Sequence, residues 1–107
     1  MYAKEEAWFL YGRFLLGENR PAEAAECFQK SMYLRKMGPW GEYGFALLAA
    51  KKGKGQEALD WLEKSLDNFY PDSESILAEP LFKKLRKTKR FKTLITKHFP
   101  ETAPLKN

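Results

Sequence analysis

The chain holds one cysteine, Cys27, so it can form no internal disulfide and must be stabilised by packing. A lone thiol fits a reducing compartment, and a cytoplasmic location is favoured. Cys27 lies between Glu26 and Phe28 with no His, Cys or Lys neighbour to activate it, and reads as a structural thiol. Histidine is equally scarce. His98, the only one, precedes Phe99-Pro100 at an expected helix end, where contact with the last carbonyls or water suits it better than catalysis. No metal-ligand spacing occurs. No apolar run approaches the roughly 20 residues of a membrane span. The N-terminal residues lack the apolar stretch of a signal peptide. Gly53-Lys54-Gly55 lacks the spacer, the Ser/Thr and the preceding strand of a phosphate loop, and a helix-hairpin turn accounts for it. Catalytic residues, cofactors and metals are therefore not expected, and the chain does not read as an enzyme.

What is present is bulk and charge. The 107 residues are 44% hydrophobic, 15% aromatic and 31% charged, a globular composition for one domain. The net charge of +5 is unevenly placed. Residues 80–100 contain eight Lys and Arg and no acid, whereas the remainder carries 11 basic and 14 acidic side chains. Basicity thus belongs to one segment. The acids Glu23, Glu26, Glu57, Asp60, Glu63 and Asp67 read as solvated helix faces, several with Lys at i,i+4.

Residues 5–38 superpose on 39–72 without a gap. Gly12 falls on Ala46, Ala24 on Ala58, Phe28 on Leu62 and Ser31 on Ser65; Tyr11 falls on Phe45 and Leu15 on Ala49. Small residues 12 apart, one on each helix of a hairpin, allow close approach of the axes. Phe28, four residues after Ala24, fills the next layer of the same face. The breakers agree: Gly17 to Arg20 turns, Pro21 suits a first helical turn, Gly38-Pro39 separates the hairpins, residues 52–55 turn again, and Tyr70 to Ser73 closes. Helices are predicted over 4–17, 21–36, 40–52 and 55–69.

The series Trp8-x2-Tyr11-Gly12-x2-Leu15, then Ala24-x3-Phe28, resembles the tetratricopeptide repeat pattern W-x2-L-G-x2-Y, then A-x3-F. The second copy, Glu42-x2-Phe45-Ala46-x2-Ala49 with Ala58-x3-Leu62, lacks the Trp, and Pro39 and Pro71 come slightly late. The resemblance covers about residues 5–72. It implies an all-α fold: a right-handed α-α superhelix of two hairpins, 5–38 and 39–72, closed by short capping helices over 73–99, with a flexible tail at 100–107. The segment Leu77 to Ile95 is similar to the closing segment of many bacterial repeat domains. Independently, Leu81, Phe82 and Leu85 form one apolar helical stripe, and Phe91, Leu94, Ile95 and Phe99 another. The phase breaks at Lys87-Thr88, where Thr88 can cap a new helix. Both helices are expected to lid helix 55–69.

In that family, ligands bind the concave surface lined by the first helix of each hairpin. By register the inward positions are Glu6, Phe9 and Arg13, then Trp40, Tyr43, Leu47 and Lys51. The resemblance implies a protein–protein interaction scaffold binding a protein or peptide segment through Phe9, Arg13, Trp40, Tyr43, Leu47 and Lys51, with Gly41 and Gly44 leaving room for a partner backbone. The family's carboxylate-clamping Lys and Asn are replaced by residues such as Phe9, Arg13 and Gly44, which argues against a C-terminal carboxylate ligand. On the alternative reading those rings pack on the chain's own tail or a neighbouring hairpin, and the chain is a structural or oligomerising C-terminal module of a larger protein. Self-association, as a homo-oligomer, would cover the open face of helix 4–17. The basic segment 83–97 suits an acidic protein partner or a solubilising cap better than nucleic acid, because no reading helix or aromatic base platform accompanies it.

Overall fold

The structure, a computed structural model, describes residues 4–34 and 39–102. Six α-helices follow in order: α1 Lys4–Gly17, α2 Pro21–Leu34, α3 Pro39–Lys51, α4 Gly55–Asp67, α5 Ser73–Ala78 and α6 Lys89–His98. Short 3-10 turns occupy Pro80–Phe82, Leu85–Lys87 and Pro100–Thr102. The described residues contain no strand, and α1 with α2 and α3 with α4 pack as adjacent helical hairpins. The fold is all-α. The predicted end of the second helix at residue 36, the break at Gly38 and positions 103–107 lie outside the described residues. Position 100, expected to begin a flexible tail, begins a 3-10 turn instead.

Three of the helices end in the same way. The Arg20 N–H donates to the Leu15 carbonyl at 2.9 Å, Lys54 to Ala49 at 2.9 Å and Tyr70 to Ser65 at 3.1 Å. This six-to-one bond needs a left-handed residue just before the donor. Asn19 (φ 62°), Gly53 (φ 77°) and Phe69 (φ 69°) supply it. Asn and Gly adopt that region readily; Phe does so at a steric cost.

The 34-residue recurrence extends to hydrogen bonds. Ser31 Oγ donates to the Glu5 carbonyl at 2.6 Å, and Ser65 Oγ donates to the Pro39 carbonyl at 2.7 Å. Donor and acceptor in one hairpin are each 34 residues from their counterparts in the other. Each bond ties the end of a second helix to the start of a first. The core between them is apolar: Ala24, Phe28, Ala46, Ala58 and Leu62 are fully buried. Phe28 is the keystone, with its ring near Phe9 at 6.1 Å and edge-on to Phe45 at 5.9 Å. A Cβ added at Gly12 or Gly44 would come within 2.5 or 2.2 Å of that ring, so both glycines give their volume to Phe28.

The tail departs from the expected pair of helices. Leu81, Phe82 and Leu85 lie on two 3-10 turns rather than on one helical stripe, because Pro80 starts a tight turn capped by the Glu79 side chain. That turn packs on α3, and α6 packs on α4. Thr88 caps α6, as its sequence position predicts, accepting from the Phe91 N–H at 3.2 Å. Phe91, Leu94 and Ile95 are buried. Arg90 fastens α6 to α4, reaching Asp60 at 2.7 Å, Glu63 at 3.0 Å and Gln56 at 3.1 Å. Asp60 and Glu63, read from sequence as solvated, thus help to dock the cap.

Candidate functional site

The inward register positions converge as the 3.6-residue period requires, but the surface they form is not open. Phe9, Tyr43 and Leu47 are each 1% exposed. Tyr70, just past α4, stacks on Tyr43 with ring centroids 4.2 Å apart, and Phe82 meets Tyr43 edge-on at 5.9 Å. Trp40 is half-buried, 5.0 Å from Tyr70 and 5.4 Å from Phe9. The expectation that Phe9, Tyr43 and Leu47 receive a partner is therefore corrected: the chain's own Tyr70 and Phe82 fill the groove. Gly41 and Gly44 likewise leave no room for a partner backbone. A Cβ at Gly41 would meet Met32 Cγ at 2.4 Å and the Phe28 carbonyl at 2.7 Å.

Burial also sets the chemistry of the phenols. It pushes the Tyr43 hydroxyl pKa far up and raises that of Tyr70 to about 12. Tyr70 shares a 3.0 Å hydrogen bond with Ser75, whereas the buried Tyr43 hydroxyl, near the same two groups, makes no hydrogen bond of good geometry among the described residues. Burial raises the Cys27 thiol pKa as well, in keeping with a packing role. His98 Nε2 lies 3.2 Å from Asp67 Oδ1 without hydrogen-bond geometry, rather than against the last carbonyls.

Two of the inward residues remain accessible, Arg13 and Lys51, and they border what the tail leaves uncovered. One depression of about 310 Å³ is lined by Arg13, Leu16, Leu47, Lys51, Pro80 and Leu81 among others. A second, of about 460 Å³, adjoins Ala50, Lys51, Leu81, Lys83, Lys84 and Leu85. Lys51, Pro80 and Leu81 are common to both, so the two form one groove running from the end of α1 past the α3–α4 turn. Its floor is aliphatic and four cations stand on its rim. Glu79 is the one acid beside it. It is buried, 3.4 Å from Arg13, and accepts the Leu81 N–H at 3.1 Å. Arg86 Nη1 donates to the Glu79 carbonyl at 2.7 Å, which anchors the turn from the other side. Lys51, Lys83 and Lys84 are exposed and make no ion pair among the described residues.

Glu79 and Leu81 were not among the expected site residues, whereas Lys83 and Lys84 belong to the basic segment read from sequence as suiting an acidic partner or a solubilising cap. The available signal was Glu79-Pro80: an acid followed by Pro at the first position of a turn marks a cap, and a capped turn holds its flanks still. Among the described residues no group of three or more His, Cys, Asp or Glu is placed to hold a metal ion. No helix there is long and apolar enough to cross a membrane. No protein-family model matches the chain, and no curated protein or solved structure matches it.

Proposed function

We infer that this chain is a protein-interaction module of the tetratricopeptide type that binds an acidic, partly apolar protein segment. The observation that carries the reading is the groove bounded by Arg13, Lys51, Lys83 and Lys84 over an aliphatic floor. A rim of cations, of which Lys51, Lys83 and Lys84 have no ion pair among the described residues, around apolar surface complements carboxylates that flank one or two aliphatic or aromatic anchors. The repeat register supports the family assignment, since the serine bonds, the left-handed turn residues and the buried small residues recur at the same spacing. The binding face has moved from the middle of the concave surface to its edge, because Tyr70 and Phe82 occupy the middle.

The test is titration of isotope-labelled full chain with fluorescent peptides that alternate Asp or Glu with Leu or Phe. A charge-reversed set with Lys in place of the acids is the control. Acidic peptides are expected to shift the resonances of Lys51, Gly53, Leu81 and Lys84, and basic ones are not. Lys51→Glu with Lys83→Glu should weaken binding about tenfold or more, equivalent to about 1.4 kcal/mol. Equal binding of acidic and basic peptides, or binding indifferent to the double reversal, refutes the reading.

A further inference from the structure

The exposed large apolar side chains are not scattered evenly. Leu10, Tyr11 and Phe14 lie together on α1, and Tyr11 and Phe14 are 51% and 58% exposed. The internal repeat shows what this face corresponds to. Residues 10, 11 and 14 map onto Gly44, Phe45 and Leu48 of α3. There, the equivalent face is covered by α2: Gly44 abuts the Phe28 ring, Phe45 meets it edge-on, and Leu48 is buried. At the other end of the stack α4 is covered by α6. Among the described residues, the α1 face is thus an apolar helix surface that matches a packed surface in the other hairpin and carries no helix.

We propose that a second copy of this chain covers it, through antiparallel pairing of α1 with α1 about a twofold axis near Tyr11. The pattern of exposed residues selects this occupant. Lys4, Ala7, Tyr11, Phe14 and Glu18 are all exposed and are spaced 3, 4, 3 and 4 apart, the interval of a two-helix seam. Glu18 continues the helix, its N–H donating to the Phe14 carbonyl at 3.0 Å. Antiparallel pairing about Tyr11 sets Phe14 of each copy over the small Ala7 of the other. It also sets Lys4 beside Glu18 at both ends, and neither residue has an ion pair among the described residues. Parallel pairing would instead place Lys4 on Lys4 and Glu18 on Glu18, which is repulsive. The seam is self-complementary, as a twofold interface must be. Because α6 closes the opposite end, association stops at two copies. About half of each aromatic is available, or roughly 100 Å² apiece. That area makes a weak, concentration-dependent dimer, below the ordinary size of a permanent interface.

Sedimentation equilibrium of the full chain over a concentration series tests this, with circular-dichroism melting of every variant as the fold control. Wild type is expected to pass reversibly from monomer to dimer. Tyr11→Glu, which brings two carboxylates together at the axis, should raise the dissociation constant about tenfold or more without lowering the melting temperature. Glu18→Lys should weaken the dimer, and Lys4→Glu with Glu18→Lys should restore it. Under oxidation Tyr11→Cys should cross-link to itself. Lys4→Cys should not, since the two copies of residue 4 would lie about 21 Å apart along the helix axis; the native Cys27 is buried and stays silent. A monomer at all concentrations overturns the proposal and assigns the face to a different helix. Equal cross-linking by Lys4→Cys overturns the antiparallel register. Neither result decides the basic groove, which is tested separately by the Lys51 and Lys83 reversals.

Discussion

Gly44→Ala puts the packing of the two hairpins to a quantitative test. In an ordinary helix the change is favourable by about 1 kcal/mol, because alanine loses less backbone entropy. Here the new methyl would stand 2.2 Å from Phe28 Cδ1, 2.5 Å from Cγ and 2.6 Å from Cε1. Carbon atoms prefer a separation of about 3.5–4.0 Å, so the ring must withdraw by more than about 1 Å. It has nowhere to go. Phe28 is fully buried, Gly12 meets the same ring edge, and Phe9 and Phe45 flank it. Overpacking of this kind costs about 1–3 kcal/mol and more when backbone must shift. The confinement of the ring puts the cost at the top of that range, about 3 kcal/mol, so with the helix gain subtracted the net loss is about 2 kcal/mol. Urea denaturation followed by circular dichroism reads it directly. Gly17→Ala is the control, because a Cβ there meets nothing within 4 Å. In a Phe28→Leu background the penalty of Gly44→Ala should shrink by about 1 kcal/mol or more, the coupling expected of residues in contact. A Gly44→Ala protein as stable as wild type, or an unchanged penalty in the Phe28→Leu background, refutes the packing account.

Other perturbations test separate features. Phe69→Gly relieves a left-handed phenylalanine that is 86% exposed, and should stabilise by about 1 kcal/mol in the same assay; destabilisation would show that the ring has a contact worth more than the strain. Tyr43→Phe removes a buried hydroxyl that makes no hydrogen bond of good geometry among the described residues, and should be neutral or stabilising by up to about 1 kcal/mol. A clear loss would mean that the hydroxyl is hydrogen-bonded. Ser31→Ala and Ser65→Ala each delete one side-chain bond to a carbonyl and should each cost about 1 kcal/mol; neutrality at both would make the recurrence one of size alone. Ala24→Arg and Ala58→Arg force long charged side chains into fully buried positions and should each cost several kcal/mol in thermal unfolding.

The helices were legible because their signals are local. Pro21 and residues 52–55 punctuate the chain, and a 34-residue register aligns small residues with small ones. Thr88 could be read as a cap because a cap is set by the hydroxyl and the three residues after it. The candidate site was legible only in part, for a reason specific to Tyr70 and Phe82. Register specifies which side chains of α1 and α3 point inward, and Phe9, Tyr43 and Leu47 do so. It does not specify whether that hollow is filled by a partner or by the same chain. Filling it took a left-handed Phe69 at the end of the second repeat to redirect the chain, and a Glu79-capped turn beyond the repeat to aim Phe82. The same limit explains Arg13. As a basic residue at an inward position of a first helix it reads as a ligand contact, yet its distance of 3.4 Å to Glu79 depends on a turn 66 residues away. A buried carboxylate beside a half-exposed guanidinium serves to hold that turn, and the turn carries Leu81, Lys83 and Lys84 into the groove wall. The proposed binding groove therefore sits where the repeat meets its cap, and a repeat register alone points one helix face away from it.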